Sequence, residues 1–175
     1  MPIKVITSPN SSFQWIDITA PTEAELIDVS EKYGIHRYSI LDCMESDHLP
    51  KLEHIENFTF IISRLYLIEK KKHDETQTIQ ELTTKLAFFF NENILITVHR
   101  LPLDFLDEIS LKFLETKYAN PSSIVVRSLW YVIKSYEKPS LHLMNEIDVY
   151  EEKIFLRTLS PTMMKKLYFI KVINL

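Results

Sequence analysis

The stretch Phe58–Leu67 constrains this chain more than any other. It is apolar, β-branched and aromatic apart from Ser63 and Arg64, and it holds neither Gly nor Pro. Such a run suits a strand buried on both faces, inside a sheet that other elements cover. Asn57 marks its start and the charged run Glu69–Asp74 marks its end. A chain with this strand at its centre must place covering elements on both sides.

The flanking segments supply them. Ile3–Thr7 and Phe13–Ile18 read as two short strands joined by Ser8-Pro9-Asn10-Ser11-Ser12. Thr22 with Glu25 three residues on forms a capping box that opens a helix running to about Tyr33, and Gly34 stands where a helix-ending glycine belongs. A second short helix is expected over Arg37–Glu45, and Pro50–Ile55 is extended. Glu69–Thr78 reads as a polar loop. Thr83–Phe90 and Ile94–His99 flank the tight break Asn91-Glu92-Asn93 and read as a hairpin. Leu103–Tyr118 has helical spacing, and Asn120-Pro121-Ser122 closes it.

From Ser123 the pattern changes. Leu129, Ile133, Tyr136, Ser140, Leu143, Ile147, Tyr150 and Ile154 recur at steps of four and three, a heptad-like seam on one long helix. Pro139 lies inside it and should kink or split it. Met163–Leu175 begins another striped helix with no cap, so the chain reads as cut inside a helix. The expected architecture is an α/β/α sandwich with a mixed sheet of about six to seven strands. Residues 1–158 would form the domain and 159–175 the start of a further helix.

Composition narrows the chemistry. A net charge of −4 argues against a nucleic-acid partner, which needs a basic face for phosphates. Lys70-Lys71-Lys72 reads as a solvated loop. A single cysteine, Cys43, allows no internal disulfide and fits a reducing compartment. No apolar stretch approaches the roughly 18 residues that span a bilayer. Gly34 is the one glycine, where average usage predicts about twelve. Phosphate cradles and dinucleotide fingerprints are excluded with it, because they need glycine where backbone meets phosphate.

Several side-chain groups remain. Cys43 has Asp42, Asp47 and His48 nearby, the parts of a nucleophile with a base, but the negative surroundings disfavour a thiolate. His48 and His54 straddle a proline turn and are compatible with a structural zinc site. Glu146, Asp148, Glu151 and Glu152 lie within two helical turns, with Asp148 and Glu152 on one face; a solvated face is the simpler reading. The acids Glu69, Asp74 and Glu75 share one loop. A hard cation such as Mg²⁺ wants carboxylate oxygens and keeps several waters, so these acids would suit a weak, sensing site if they faced another subunit, and an ordinary solvated loop is the other reading.

The order of motifs resembles one family. Trp15-Ile16-Asp17, Pro21-Thr22 with Glu25, Tyr33-Gly34-Ile35-His36, Pro50-Lys51-Leu52-Glu53, Glu56-Asn57-Phe58, Ile96-Thr97-Val98-His99 and the acidic helix Glu146–Phe155 occur in the order and spacing of the N-terminal cytoplasmic domain of CorA divalent-metal transporters. The resemblance implies an α/β/α domain, a stalk helix, and two transmembrane helices carrying a Gly-Met-Asn signature that this sequence lacks. It implies a homopentamer in the cell membrane, with this domain on the cytoplasmic side. Mg²⁺, with Co²⁺, Ni²⁺ or Zn²⁺ as other ions, would bind between neighbouring domains and hold the pore closed. By register from Glu56-Asn57 it places a metal contact at Glu69, with Asp74 and Glu75 behind it. Its partner acid would lie further along the stalk, and a second family acid falls at Lys134 or Ser135, which puts that second site in doubt. The other readings are the same scaffold in a zinc transporter, and a freestanding enzyme using Cys43 or the acidic helix.

Overall fold

The central run does form an internal strand. The structure, a computed structural model, describes residues 3–9, 11–67, 78–115, 118–155, 161, 162 and 164. In chain order the elements are β1 (Ile3–Ile6), β2 (Gln14–Thr19), α1 (Glu23–Tyr33), α2 (Arg37–Leu41), β3 (Lys51–Ile55), β4 (Phe58–Tyr66), α3 (Ile79–Leu82), β5 (Thr83–Phe90), β6 (Ile94–His99), α4 (Asp104–Leu114), α5 (Pro121–Ser135) and α6 (Glu137–Phe155). The sheet order is β1-β2-β6-β5-β4-β3. Only the β2–β6 pairing is parallel, so the sheet is mixed.

Alternation along the strands builds two cores. Ile16, Ile18, Phe60, Ile62, Ala87, Phe89, Ile96 and Val98 pack with Leu26 and Val29 of α1 and Ile40 of α2. Trp15, Leu65, Leu86, Phe88 and Leu95 point the other way and pack with α4 and α5. The β4–β5 pairing matches Phe60 with Phe89 and Arg64 with Lys85. Burying both faces of β4 and β5 is what their largely apolar composition favours.

Local chemistry sets most boundaries. Thr22 Oγ1 accepts from the Glu25 N–H at 3.3 Å, while Glu25 Oε2 accepts from the Thr22 N–H at 2.8 Å. Gly34 ends α1 in the left-handed region at φ 67°. Pro139 splits the long helix as expected. A proline ring clashes with the carbonyl four residues back, here Ser135, which is where α5 ends. Inside α6 the same proline lies in the first turn, where its missing N–H costs nothing.

Four expectations need correction. The second helix ends at Leu41 rather than Glu45, because the Asp42 and Glu45 carbonyls are taken by Lys85 Nζ. Asn120-Pro121 opens α5 rather than closing α4: Asn120 Oδ1 caps the Ser123 N–H at 2.9 Å and Pro121 is the first helical residue. α4 itself ends at Leu114, short of Tyr118. The heptad seam does not hold in α5, whose buried face is Ile124, Val125, Ser128 and Val132, whereas Ile133 is 73 % exposed. The short helix α3 was not foreseen, although Thr78 and Glu81 form a second capping box.

Candidate functional site

α2 runs out over the β4–β5 end of the sheet, and the turn that follows gathers the titratable groups. Two buried cations shape that turn. Lys85 Nζ donates to the carbonyls of Asp42 (2.8 Å) and Glu45. Arg64 donates from Nη1 to the carbonyls of Ser46 and His48, both at 3.0 Å, and from Nε to Thr83 Oγ1 at 2.7 Å. The carbonyls left over at a helix C-terminus attract positive charge, and here they receive it from the strands beneath.

So held, the turn brings Asp42, Glu45 and His48 together, with one ligating atom of each within 4.8 Å of the others. His48 Nε2 lies 3.4 Å from Asp42 Oδ1 and 3.8 Å from Glu45 Oε2. The group is already served by a cation. Lys51, at the start of β3, places Nζ 2.7 Å from Asp42 Oδ2 and 3.1 Å from Glu53 Oε2. Burial works against the Lys51 charge, but its hydrogen bonds to Asp42 and Glu53 outweigh it and raise its pKa. Mg²⁺ prefers an octahedron of oxygens and retained waters, so two carboxylates, an imidazole and an ammonium do not fit it. The N,O donor set suits Co²⁺ or Zn²⁺ better, and only with Lys51 displaced.

The nucleophile reading fails at the same turn. Cys43 is 7 % exposed, and burial pushes its thiol up to about 12. A thiol held neutral does not attack. Asp47 pairs with Gln80 Nε2 at 3.2 Å instead. His54 is not in the Asp42 group; its Nδ1 meets Thr59 Oγ1 at 3.1 Å across the β3–β4 hairpin. On α6, Asp148, Glu151 and Glu152 are exposed, as a solvated face requires, and Glu146 lies 3.9 Å from His142. Glu69, Asp74 and Glu75 lie outside the described residues.

A second polar group was not foreseen. Trp15 Nε1 donates to Thr97 Oγ1 at 3.0 Å, the Thr97 hydroxyl donates to Asp17 Oδ1, and His99 Nε2 donates to the same oxygen at 3.1 Å. His99 Nδ1 faces the Leu101 carbonyl at 2.6 Å. Both ring nitrogens thus face acceptors, the arrangement of an imidazolium. Burial opposes that charge, but the Asp17 hydrogen bond and charge and the Leu101 carbonyl together raise the His99 pKa. The parallel register that sets Asp17 beside Thr97 and Thr19 beside His99 builds the network from two separate motifs. The usable signal was polar residues at alternate positions of two otherwise apolar strands.

Comparison with known proteins places this fold. The family model described as CorA-like Mg²⁺ transporter protein matches residues 10–175. The cobalt/magnesium transport protein CorA of Methanocaldococcus jannaschii is 26 % identical over 148 residues, 80 % of this chain and 43 % of that protein. The complete structure of the CorA magnesium transporter from the same organism superposes with a TM-score of 0.63 at 22 % identity, over 96 % of this chain and 51 % of that one. The ZntB cytoplasmic domain from Vibrio parahaemolyticus gives a TM-score of 0.62 at 8 % identity, over 85 % of this chain and 64 % of that one. The chain therefore spans about half the length of the CorA proteins it matches, and the likeness to the two solved structures is one of fold.

Proposed function

Because this chain belongs to the family of CorA-like Mg²⁺ transporter proteins, we propose that it is the regulatory domain of a divalent-cation channel of that family. In the complete protein the domain senses Mg²⁺ on the cytoplasmic side of the cell membrane and gates a pore carried by other sequence. The observation that carries this reading is the family match over residues 10–175. The three-layer fold and the absence, among the described residues, of any helix long and apolar enough to cross a membrane agree with it. Five subunits would form the ring, and Glu69, Asp74 and Glu75 are the ligands assigned to the sensing cation. The misfit of Asp42, Glu45 and His48 to Mg²⁺ supports looking for the sensor elsewhere than at that turn.

The test is ion flux through the complete protein in liposomes. Mg²⁺ and Co²⁺ enter, and flux falls as Mg²⁺ on the domain side rises. Replacing Glu69 and Glu75 by Gln and Asp74 by Asn raises the Mg²⁺ needed for closure severalfold. Absence of any Mg²⁺ or Co²⁺ flux, or closure indifferent to Mg²⁺, refutes the proposal. The fold likeness to the ZntB domain motivates a Zn²⁺ arm in the same assay, and flux of Zn²⁺ alone would favour a zinc transporter.

A further inference from the structure

The carbonyl clamps leave something over. Between the turn after α2 and the sheet lies a cavity of about 520 Å³, at the end where the parallel strands β2 and β6 finish. That volume is within the usual range of roughly 300–1,000 Å³ for small-molecule sites. Ile62, Ala87 and Val98 form its apolar floor. Arg64 and Lys85 stand in its wall, and Arg100 is exposed at its mouth. No Asp or Glu is among the lining residues described.

Arg64 and Lys85 are 7 % and 6 % exposed, side by side in the β4–β5 register. Their described hydrogen-bond partners are backbone carbonyls and the Thr83 hydroxyl, with no carboxylate among them. Among the described residues, these bonds leave both N–H groups of Arg64 Nη2 and one of Lys85 Nζ without an acceptor. Ser8 Oγ is the one fully buried polar side-chain atom without a partner among the described residues, so these spare donors face the cavity rather than packed protein, where water or an anion can accept from them. Burial pushes the Lys85 ammonium down from its usual value and the neighbouring Arg64 charge adds to that effect, against the opposing pull of Cys43, Glu45 and Asp42.

From the pairing of these spare donors with an apolar floor, we propose that the cavity binds a small organic carboxylate. Its two oxygens accept from Arg64 Nη2 and Lys85 Nζ, and its apolar body lies against Ile62, Ala87 and Val98. A two-oxygen anion can take one donor from each of the two side chains at once, a charge-assisted pairing with both. Three spare N–H groups are few for a phosphate, and the apolar floor offers such an ion nothing. The proposal does not rest on the cation-sensing reading.

Titration calorimetry of the chain with 1-naphthoate, 1-naphthamide and inorganic phosphate tests the idea. A ligand of this size should bind with a dissociation constant of about 1 mM or tighter. Naphthamide, which has the same body without the charge, and phosphate, which has charge without the body, should each bind at least about tenfold more weakly. Lys85→Gln keeps hydrogen-bond donors for the two carbonyls but removes the charge, and should weaken naphthoate by a similar factor. Amide resonances mapped during the same titration should move at Ala87, Val98 and Leu101, a readout that needs no variant. Equal binding of naphthoate and naphthamide, phosphate binding as tight as naphthoate, shifts confined to other surfaces, or no binding at 10 mM naphthoate (roughly tenfold above the expected constant) overturns the proposal.

Discussion

Removing the Phe89 ring tests the packing argument at its centre. Phe89 is 1 % exposed and Phe60 0 %, and the rings stack at 4.3 Å between centroids with 7° between planes. They face each other across the β4–β5 ladder, beneath α1 and α2. Lys51 Nζ lies 5.0 Å from the Phe60 ring centroid, which ties the same ring to the ion pair with Asp42. Deleting a fully buried Phe costs about 3–5 kcal/mol, the lost transfer energy plus the cavity left behind. Domains of this kind hold about 5–15 kcal/mol in all, so Phe89→Ala should remove about a fifth or more of the stability. Phe89→Leu, which keeps most of the volume, should cost about 1.5 kcal/mol or less. Phe60→Ala should resemble Phe89→Ala. A double-mutant cycle should return a coupling of about 0.5–1.5 kcal/mol, since each single variant already loses the ring–ring contact. Urea unfolding followed by Trp15 fluorescence reports the midpoint, because Trp15 is fully buried on the opposite face of the sheet. A loss under about 1 kcal/mol for Phe89→Ala, or coupling within about 0.3 kcal/mol of zero, would show that the face is not packed as described.

Three further outcomes follow from the polar groups. Lys51→Met frees Asp42, Glu45 and His48 for a softer cation, so Co²⁺ affinity by calorimetry should rise at least about tenfold, equivalent to about 1.4 kcal/mol; equal affinity in the wild type would sink the reading of Lys51 as the resident cation. His99 has a folded pKa raised above the ordinary 6.5, so its stabilising contribution is full below pH 6.5 and is lost as pH rises through the folded value. Melting scans across that window should show the fall in the wild type and a flatter profile in Asp17→Asn, and an unchanged slope in that variant would count against the Asp17 contact. Cys43, raised to about 12 by burial, should resist thiol reagents at pH 8 in the folded chain and react once urea unfolds it; rapid native labelling would refute its burial.

Local chemistry announced much of the framework before any tertiary contact was known. The Thr22–Glu25 box, Gly34, the hairpin at Asn91-Glu92-Asn93 and the Pro139 break all act within a few residues of themselves, so neighbouring sequence suffices to place them. The misreadings have the same cause seen from the other side. The second helix stops early because Lys85 and Arg64, far away in sequence, take its trailing carbonyls. α5 turns a different stripe inward because Ile124, Val125 and Val132 join the core that Leu86 and Phe88 form on that face of the sheet, which no helical periodicity within α5 can report. The Thr78–Glu81 box is local and legible, and it opens α3 between the expected loop Glu69–Thr78 and the strand from Thr83.

The site divides along the same line. Sequence alone determined the glycine-poor α/β body, the two-faced central strand and the exclusion of nucleotide cradles, since composition and short-range pattern govern those. Only the tertiary structure set Lys51 against Asp42, joined Trp15, Asp17, Thr97 and His99, and left Arg64 and Lys85 with spare donors beside a cavity. Those pairings depend on strand register and on which face each residue turns to its neighbour, and register is chosen by the whole sheet closing at once.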